Sequence, residues 1–178
     1  ILGFGRIGQA VCRKLQSLGV SVVYYDPRRL APEKENELNA VYLPMDDLLR
    51  TADIITCHMT LSDKTYHLLD DAAFGKMKST AYFINVSRGK TMDENALLKA
   101  LREKKIRGAA LDVFEFEPYI SEEMASLDNI LITPHAGTSV LEVRLNMVHE
   151  AFMGIYDVLN GVRPHNIVNT ELCVGNFL

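Results

Sequence analysis

The chain lacks most of the features that would take it away from an ordinary globular fold. It has only three cysteines in 178 residues, Cys12, Cys57 and Cys173, an odd number with no Cys-x-x-Cys pair. That excludes a disulfide framework and points to a reducing, cytoplasmic setting. Its five histidines, His58, His67, His135, His149 and His165, show no ligand spacing among themselves or with the cysteines, so no metal is expected. No apolar run approaches the roughly 18 residues that a membrane span requires, and no secretory leader is visible. A basic excess is lacking too. The net charge is −4, which argues against nucleic acid or an anionic membrane as partner, since both need a basic face. There are no internal repeats or low-complexity tracts. An initiating Met is also missing, and only Ile1 and Leu2 precede the first glycine. A central parallel strand usually runs about five or six residues, and a charged amino terminus inside a sheet is costly. Residues are therefore expected upstream, with this chain one part of a longer protein.

What is present begins with Gly3-Phe4-Gly5-Arg6-Ile7-Gly8, followed by Asp26 eighteen positions after Gly8. Gly3 allows a tight turn out of a strand and Gly5 lets the backbone approach a pyrophosphate. Gly8 lets the next helix pack close, so that its first amides face the phosphates. Asp26 ends an apolar run, residues 20–25, where an acid can accept both ribose hydroxyls of an adenosine. The pattern predicts a dinucleotide site. The alternative is a packing turn, with Asp26 only opening the Asp26-Pro27 turn.

Strand and helix patterns alternate along the chain, which predicts a doubly wound parallel sheet of the Rossmann type. After the strand stump at residues 1–2, a helix is expected over 7–18, with Ile7, Val11, Leu15 and Leu18 as its apolar stripe and Gly19 closing it. Strands are expected at 20–25, 40–43, 53–57, 81–86, 106–113 and 130–133. Residues 28–39 read as a loop or short helix. Asp46 is expected to cap a helical turn over 46–51, Asp70 a short helix through 77, and Asp93 a helix over 94–104. A short helix at 121–126 and a long one from about 139 to 159 complete the pattern. Residues 1–160 then form the dinucleotide-binding domain, with its first strand truncated. Residues 161–178 read as a hinge and the start of a return to a substrate domain that this chain largely lacks.

Ligands in open parallel sheets sit beyond the carboxyl ends of the strands. Four polar residues fall at such ends: Arg88, Asp112, Glu117 and His135. His135, in Thr133-Pro134-His135-Ala136-Gly137, suits general acid/base work. A histidine at a strand end is otherwise a hydrogen-bonded structural residue. A carboxylate at Glu117 would fix its orientation and favour its protonated form, the form that delivers a proton to a nascent alkoxide. Arg88, in a turn straight after an apolar strand, can grip a carboxylate bidentately and polarise a carbonyl, or else pair with a surface acid. Asp112 is either a cleft acid that accepts from a nicotinamide amide or a cap for the turn before Phe114.

Taken together, these segments resemble the D-isomer-specific 2-hydroxyacid dehydrogenases. Three carry the resemblance: Phe83-Ile84-Asn85-Val86-Ser87-Arg88-Gly89 with Asp93-Glu94 and Ala96-Leu97, then Gly108-Ala109-Ala110-Leu111-Asp112-Val113-Phe114-Glu115-Phe116-Glu117-Pro118, then Ile132-Thr133-Pro134-His135-Ala136-Gly137. With the glycine motif it covers about residues 1–169. The resemblance implies an NAD-dependent oxidoreductase that interconverts a 2-oxo acid and a D-2-hydroxy acid. It makes Arg88 the substrate residue and His135 with Glu117 the acid/base pair. Gly3, Gly5 and Gly8 with the Arg6 and Ile7 amides would hold the pyrophosphate, and Asp26 the adenosine ribose. Val86 and Asp112 would hold the nicotinamide amide, and Ser87 and Gly137 would complete the cofactor set.

The resemblance also implies a second domain built from both ends of the chain. Arg163-Pro164-His165-Asn166-Ile167-Val168-Asn169 resembles the return crossing to it. A homodimer through the nucleotide domain is implied as well, with the helix from Ser139 contributing. Relatives that act as NAD-sensing corepressors keep the same three residues, which leaves a binding protein as the other reading. Glu117 argues against the formate-oxidising branch, which lacks that acid. His58-Met59-Thr60-Leu61 departs from the family's His-x-Pro-Leu, so a looser loop is expected there. Arg28 and Arg29 would attract a 2′-phosphate but Asp26 repels one, so NAD is expected over NADP.

Overall fold

Leu2 is the joint of the sheet. In the computed structural model, which describes residues 1–168, it pairs in parallel with Tyr25 on one side and with Cys57 on the other. Its amide donates to the Thr56 carbonyl at 2.9 Å, and its carbonyl accepts from the His58 amide at 2.7 Å. On the Tyr25 side lie β1 (Val22–Tyr24) and β2 (Ala40–Tyr42). On the Cys57 side lie β3 (Ile54–Cys57), β4 (Tyr82–Asn85), β5 (Gly108–Leu111) and β6 (Ile130–Ile132), in that order. All pairs are parallel. The order β2-β1-Leu2-β3-β4-β5-β6 reverses direction at Leu2, and such a switch point is where open sheets of this kind take their ligands.

Apolar burial explains the layers. Ile55, Cys57, Phe83 and Leu111 from the strands pack with Leu48 and Leu49 of α3 (Met45–Thr51), Phe74 of α4 (Asp71–Lys76), and Leu97 and Leu101 of α5 (Glu94–Arg102). A second cluster joins Phe4, Val22, Tyr24 and Ala40 to Cys12 of α1 (Arg6–Gln16) and to Leu38, just past α2 (Pro32–Glu37). Phe4 stacks on Tyr24 with ring centres 4.0 Å apart, so the residue inside the glycine turn is itself a core residue. Together the clusters bury apolar surface worth about 25 cal/mol per Å².

Several expected elements differ from those observed. The strands are shorter than their apolar runs: flanking residues such as Val20 and Val86 lie outside the paired ladders. Asp70 and Asp93 do cap α4 and α5, accepting from the Ala73 and Ala96 amides. Asp46 does not cap α3. Pro44 occupies the cap position with no side-chain bond, and Asp46 in the first turn pairs with Lys76 at 2.7 Å instead. The expected stripe on α1 holds only in its middle: Ile7 is 68% exposed because the helix packs through Gly8 and Cys12, and Leu18, 77% exposed, lies beyond the helix, which ends at Gln16. Ser121 caps α6 (Glu122–Ser126).

The chain forms two compact units, Ile1–His135 and a second that begins at Ala136. The second contains α7 (Leu141–Leu159), a helix with no buried residue. Of the expected hinge over 161–178, residues 169–178 lie outside the described residues, as does Cys173. Among the described residues no helix is long and apolar enough to cross a membrane.

Candidate active site

The glycine turn is built by close approach. A Cβ on Gly3, whose φ is +84°, would lie 2.7 Å from the Met59 nitrogen, and one on Gly8 would lie 2.3 Å from the Gly3 carbonyl oxygen. Those two glycines seat α1 directly on the turn. Gly5 differs: a Cβ there would meet nothing within 4 Å. Nothing in the protein's own packing requires its bareness. It leaves the backbone at the start of α1 open, beside the first-turn amides of Arg6 and Ile7, which is what a phosphate requires. Asp26 sits at the carboxyl end of β1. It accepts from the Phe4 amide at 2.8 Å and from the Arg28 amide at 2.9 Å, one on each carboxylate oxygen. It therefore fixes the turn and keeps a second lone pair on each oxygen for a ligand.

A cleft of about 270 Å³ opens beside this turn, lined by Ile7, His58, Met59, Thr60, Leu61, Val86, Ser87 and Arg88. The exposure of Ile7 is thus exposure to a cleft. Thr60 lies on its rim, and the Thr65 hydroxyl donates to the Thr60 carbonyl at 2.7 Å and accepts from the Ser62 amide at 2.8 Å. Those bonds fasten the loop that lacks a proline. His58 Nε2 lies 3.0 Å from the Thr56 hydroxyl, and burial pushes its imidazole down. Ser87 belongs to a buried polar knot: its hydroxyl donates to Asn85 Oδ1 at 2.8 Å and lies 3.2 Å from Cys57 Sγ. Asn85 and Thr91 in turn hold the Arg88 carbonyl. The arginine turn is thus fixed from beneath, while the exposed Arg88 side chain folds back to the Ser87 carbonyl at 2.6 Å.

His135 Nδ1 donates to Glu117 Oε2 at 2.9 Å. Glu117 Oε1 accepts from the Phe114 amide at 2.9 Å. Burial raises the Glu117 carboxyl. The His135 bond, the Phe114 amide and the positive charges of His135 and Arg88 outweigh it and hold the group below the usual carboxylate range. Residues 88, 117 and 135, far apart in sequence, are thus neighbours electrostatically. His135 has φ +52°, a left-handed backbone that non-glycine residues adopt seldom and often at functional sites. Asp112 accepts from the Thr133 hydroxyl at 2.6 Å and its amide donates to the Asn85 carbonyl, which joins the ends of β4, β5 and β6. Gly137 lies in the second unit.

Two features carry no signal in sequence periodicity. A Cβ on Gly89 would fall 1.9 Å from the Phe114 carbonyl, so the arginine turn and the acid segment touch backbone to backbone. Glu115 and Glu94 clasp each other: Glu94 Oε2 accepts from the Glu115 amide at 3.0 Å, and Glu115 Oε2 accepts from the Glu94 amide at 3.2 Å. His67 Nε2 donates to Glu115 Oε1 at 2.7 Å. The segment that presents Glu117 is therefore anchored through Glu115. Among the described residues, no group of three acidic, histidine or cysteine side chains is placed to hold a metal ion.

The family model for the D-isomer specific 2-hydroxyacid dehydrogenase, NAD binding domain, matches residues 1–137. A glyoxylate reductase of Thermococcus onnurineus (strain NA1) is 42% identical over 172 residues, which are 97% of this chain and 51% of that protein. The holo form of D-mandelate dehydrogenase from Rhodotorula graminis superposes with a TM-score of 0.87 at 30% identity, over 92% of this chain and 48% of that one. The NAD-complexed D-isomer specific 2-hydroxyacid dehydrogenase of Lactobacillus delbrueckii ssp. bulgaricus superposes at 0.85 with 31% identity, over 94% and 55%. The chain spans about half the length of such relatives. Over the span that it covers, it belongs to the D-isomer specific 2-hydroxyacid dehydrogenase family.

Proposed function

We propose that the protein reduces a 2-oxo acid to a D-2-hydroxy acid, reversibly, with NAD as cofactor. The observation that carries the reading is the His135–Glu117 pair at 2.9 Å, set at the carboxyl ends of the strands with Arg88 contributing its charge. The residues present fit the cofactor. Gly5 leaves an open backbone at the start of α1, Asp26 keeps lone pairs for ribose hydroxyls, and Val86 and Ile7 give the cleft apolar walls. NADH, when bound, supplies a hydride to the substrate's carbonyl carbon. Arg88 exchanges its internal bond to the Ser87 carbonyl for the substrate carboxylate and polarises the adjacent carbonyl. Glu117 holds Nδ1 of His135, which leaves Nε2 as the atom that gives the proton to the carbonyl oxygen and takes it back in the reverse direction. The substrate class is read from Arg88, and the relatives' names point the same way. Cysteine usage favours the cytoplasm.

The long helix α7 supports a homodimer. Leu141, Leu145, Val148, Phe152 and Ile155 share one face and are all exposed, and a face of this size on about 28 Å of helix calls for a cover. A second copy of the same helix supplies one of matching chemistry.

The test is NADH binding by nicotinamide fluorescence, followed by a panel of 2-oxo acids with the full protein and its His135→Ala variant. Turnover is expected to fall by about 10² or more in the variant while NADH binding persists. Unchanged turnover would remove His135 from its role. NADH binding with no turnover on any 2-oxo acid would favour a cofactor-sensing binding protein.

A further inference from the structure

Arg28 and Arg29 follow Asp26 on the loop that leaves β1, the place where folds of this kind read the adenosine ribose and where a nearby arginine accommodates a 2′-phosphate. The two arginines are not equivalent. Arg29, although its side chain is 60% exposed, is held in an ion pair. Its Nε and Nη2 donate to the two carboxylate oxygens of Glu35 at 2.9 and 3.0 Å, and its guanidinium lies 5.1 Å from the centre of the Tyr42 ring. Glu35 is held from behind in turn. The hydroxyl of Tyr24, a fully buried side chain, donates to Glu35 Oε1 at 2.6 Å and accepts from the Leu30 amide at 2.9 Å. The bonds from Arg29 and Tyr24 hold the Glu35 carboxyl below the usual carboxylate range. Burial and the bond to Glu35 push the Tyr24 phenol up to about 12. The whole chain Leu30–Tyr24–Glu35–Arg29 is thus fixed at neutral pH, with both carboxylate oxygens and the Nε–Nη2 edge of the guanidinium engaged. Arg28 meets Asp26 through its backbone amide, and its side chain is exposed.

We propose that Glu35 is a specificity residue for the cofactor: by clamping Arg29 it withholds from the ribose site one of the two neighbouring arginines that a 2′-phosphate could use, and so favours NAD over NADP. This rests on the reading of the glycine turn and Asp26 as a dinucleotide site. Two acids then act in different ways. Asp26 faces the ribose and repels a phosphate there. Glu35 keeps a guanidinium from answering that phosphate with a bidentate pair, the strongest contact available to it.

The experiment is binding of NADH and NADPH, each by nicotinamide fluorescence, to the full protein and to three variants: Glu35→Gln, Arg29→Ala and the double variant. Glu35→Gln keeps the shape and an acceptor for Tyr24 but cannot hold a guanidinium as a charged fork. It is expected to tighten NADPH about tenfold, the size of one charge-assisted contact, with NADH unchanged. Arg29→Ala alone is expected to change neither, and the double variant to lose the gain. An unchanged NADPH-to-NADH ratio in Glu35→Gln overturns the proposal, and so does a gain that survives in the double variant. Should Glu35→Gln fail to fold, Arg29→Ala decides alone: weakened NADPH binding would mean that Arg29 is already free and overturns the proposal, and unchanged binding of both cofactors supports it. No binding of either cofactor to the native protein would be a different failure, that of the dinucleotide reading itself.

Discussion

Glu117 faces a histidine and accepts a backbone amide, whereas Glu94 is 3% exposed and lies against a second carboxylate, Glu115. Their titrations are driven in opposite directions. Glu117 is held low, so its pairing stabilises the folded protein at neutral pH and is lost only as pH falls through that lowered value. Glu94 is held high, by burial first and by the charge of Glu115 as well, against the opposing Glu115 amide. A carboxyl raised in the folded state binds more protons folded than unfolded, so its contribution falls as pH rises from the ordinary carboxylate range to the raised value. Glu94→Gln keeps the acceptor for the Glu115 amide and removes the charge. It should melt no lower than the native protein at neutral pH and show a flatter pH dependence across that interval, whereas Glu94→Ala, which strands the partly buried Glu115 amide, should lose about 1 kcal/mol. A clear drop in melting temperature for the Gln variant would contradict this account. The sequence pointed to Glu117 as the partner of His135; what it did not show is that Glu115, two residues earlier, turns back to His67 and Glu94.

At the scale of elements, the contact between the arginine turn and the acid segment is the tightest in the site. A methyl on Gly89 would have to displace the Phe114 carbonyl, 1.9 Å away, and the Glu115 amide, 2.4 Å away. Both are backbone, so neither can rotate aside. Gly89→Ala is expected to cost about 1–3 kcal/mol or more by chemical denaturation and to separate Arg88 from Glu117, lowering turnover more than NADH binding. Wild-type stability in that variant would show that the two segments are not in contact. The sequence announced the side-chain caps at Asp70 and Asp93, because an Asx acceptor three residues before a free amide is a local device. It misled at Asp46, where Pro44 starts the helix and the acid serves an ion pair with Lys76, a residue on another helix. The polar knot of Cys57, Asn85, Ser87 and Thr91 was invisible for the same reason: it is assembled from two neighbouring strands and a following turn.

Across the whole molecule, α7 is the element on which the proposed homodimer rests. Nineteen residues of helix with no buried side chain are unusual for a sequence so apolar on its surface. Phe152→Glu or Leu145→Glu should shift the protein toward monomer in analytical ultracentrifugation while leaving NADH binding in place; an unchanged sedimentation profile would remove α7 from the interface. The alternation of strands and helices was readable from composition and period, but the helix's exposure was not, since an apolar face looks the same whether it meets its own core or another subunit. Leu2 carries a last consequence. Two bridges from one residue hold the β1–β2 pair to the four-stranded sheet, and the glycine turn springs from that same seam. Brief parting of the seam would therefore disturb the turn before it touched any helix. The amides of Leu2, Gly3, Tyr25 and His58, each bonded across the seam, are the natural clocks for this motion. Their hydrogen exchange would time how often the two halves of the sheet let go of each other, and a ligand that spans both halves would slow those four clocks together.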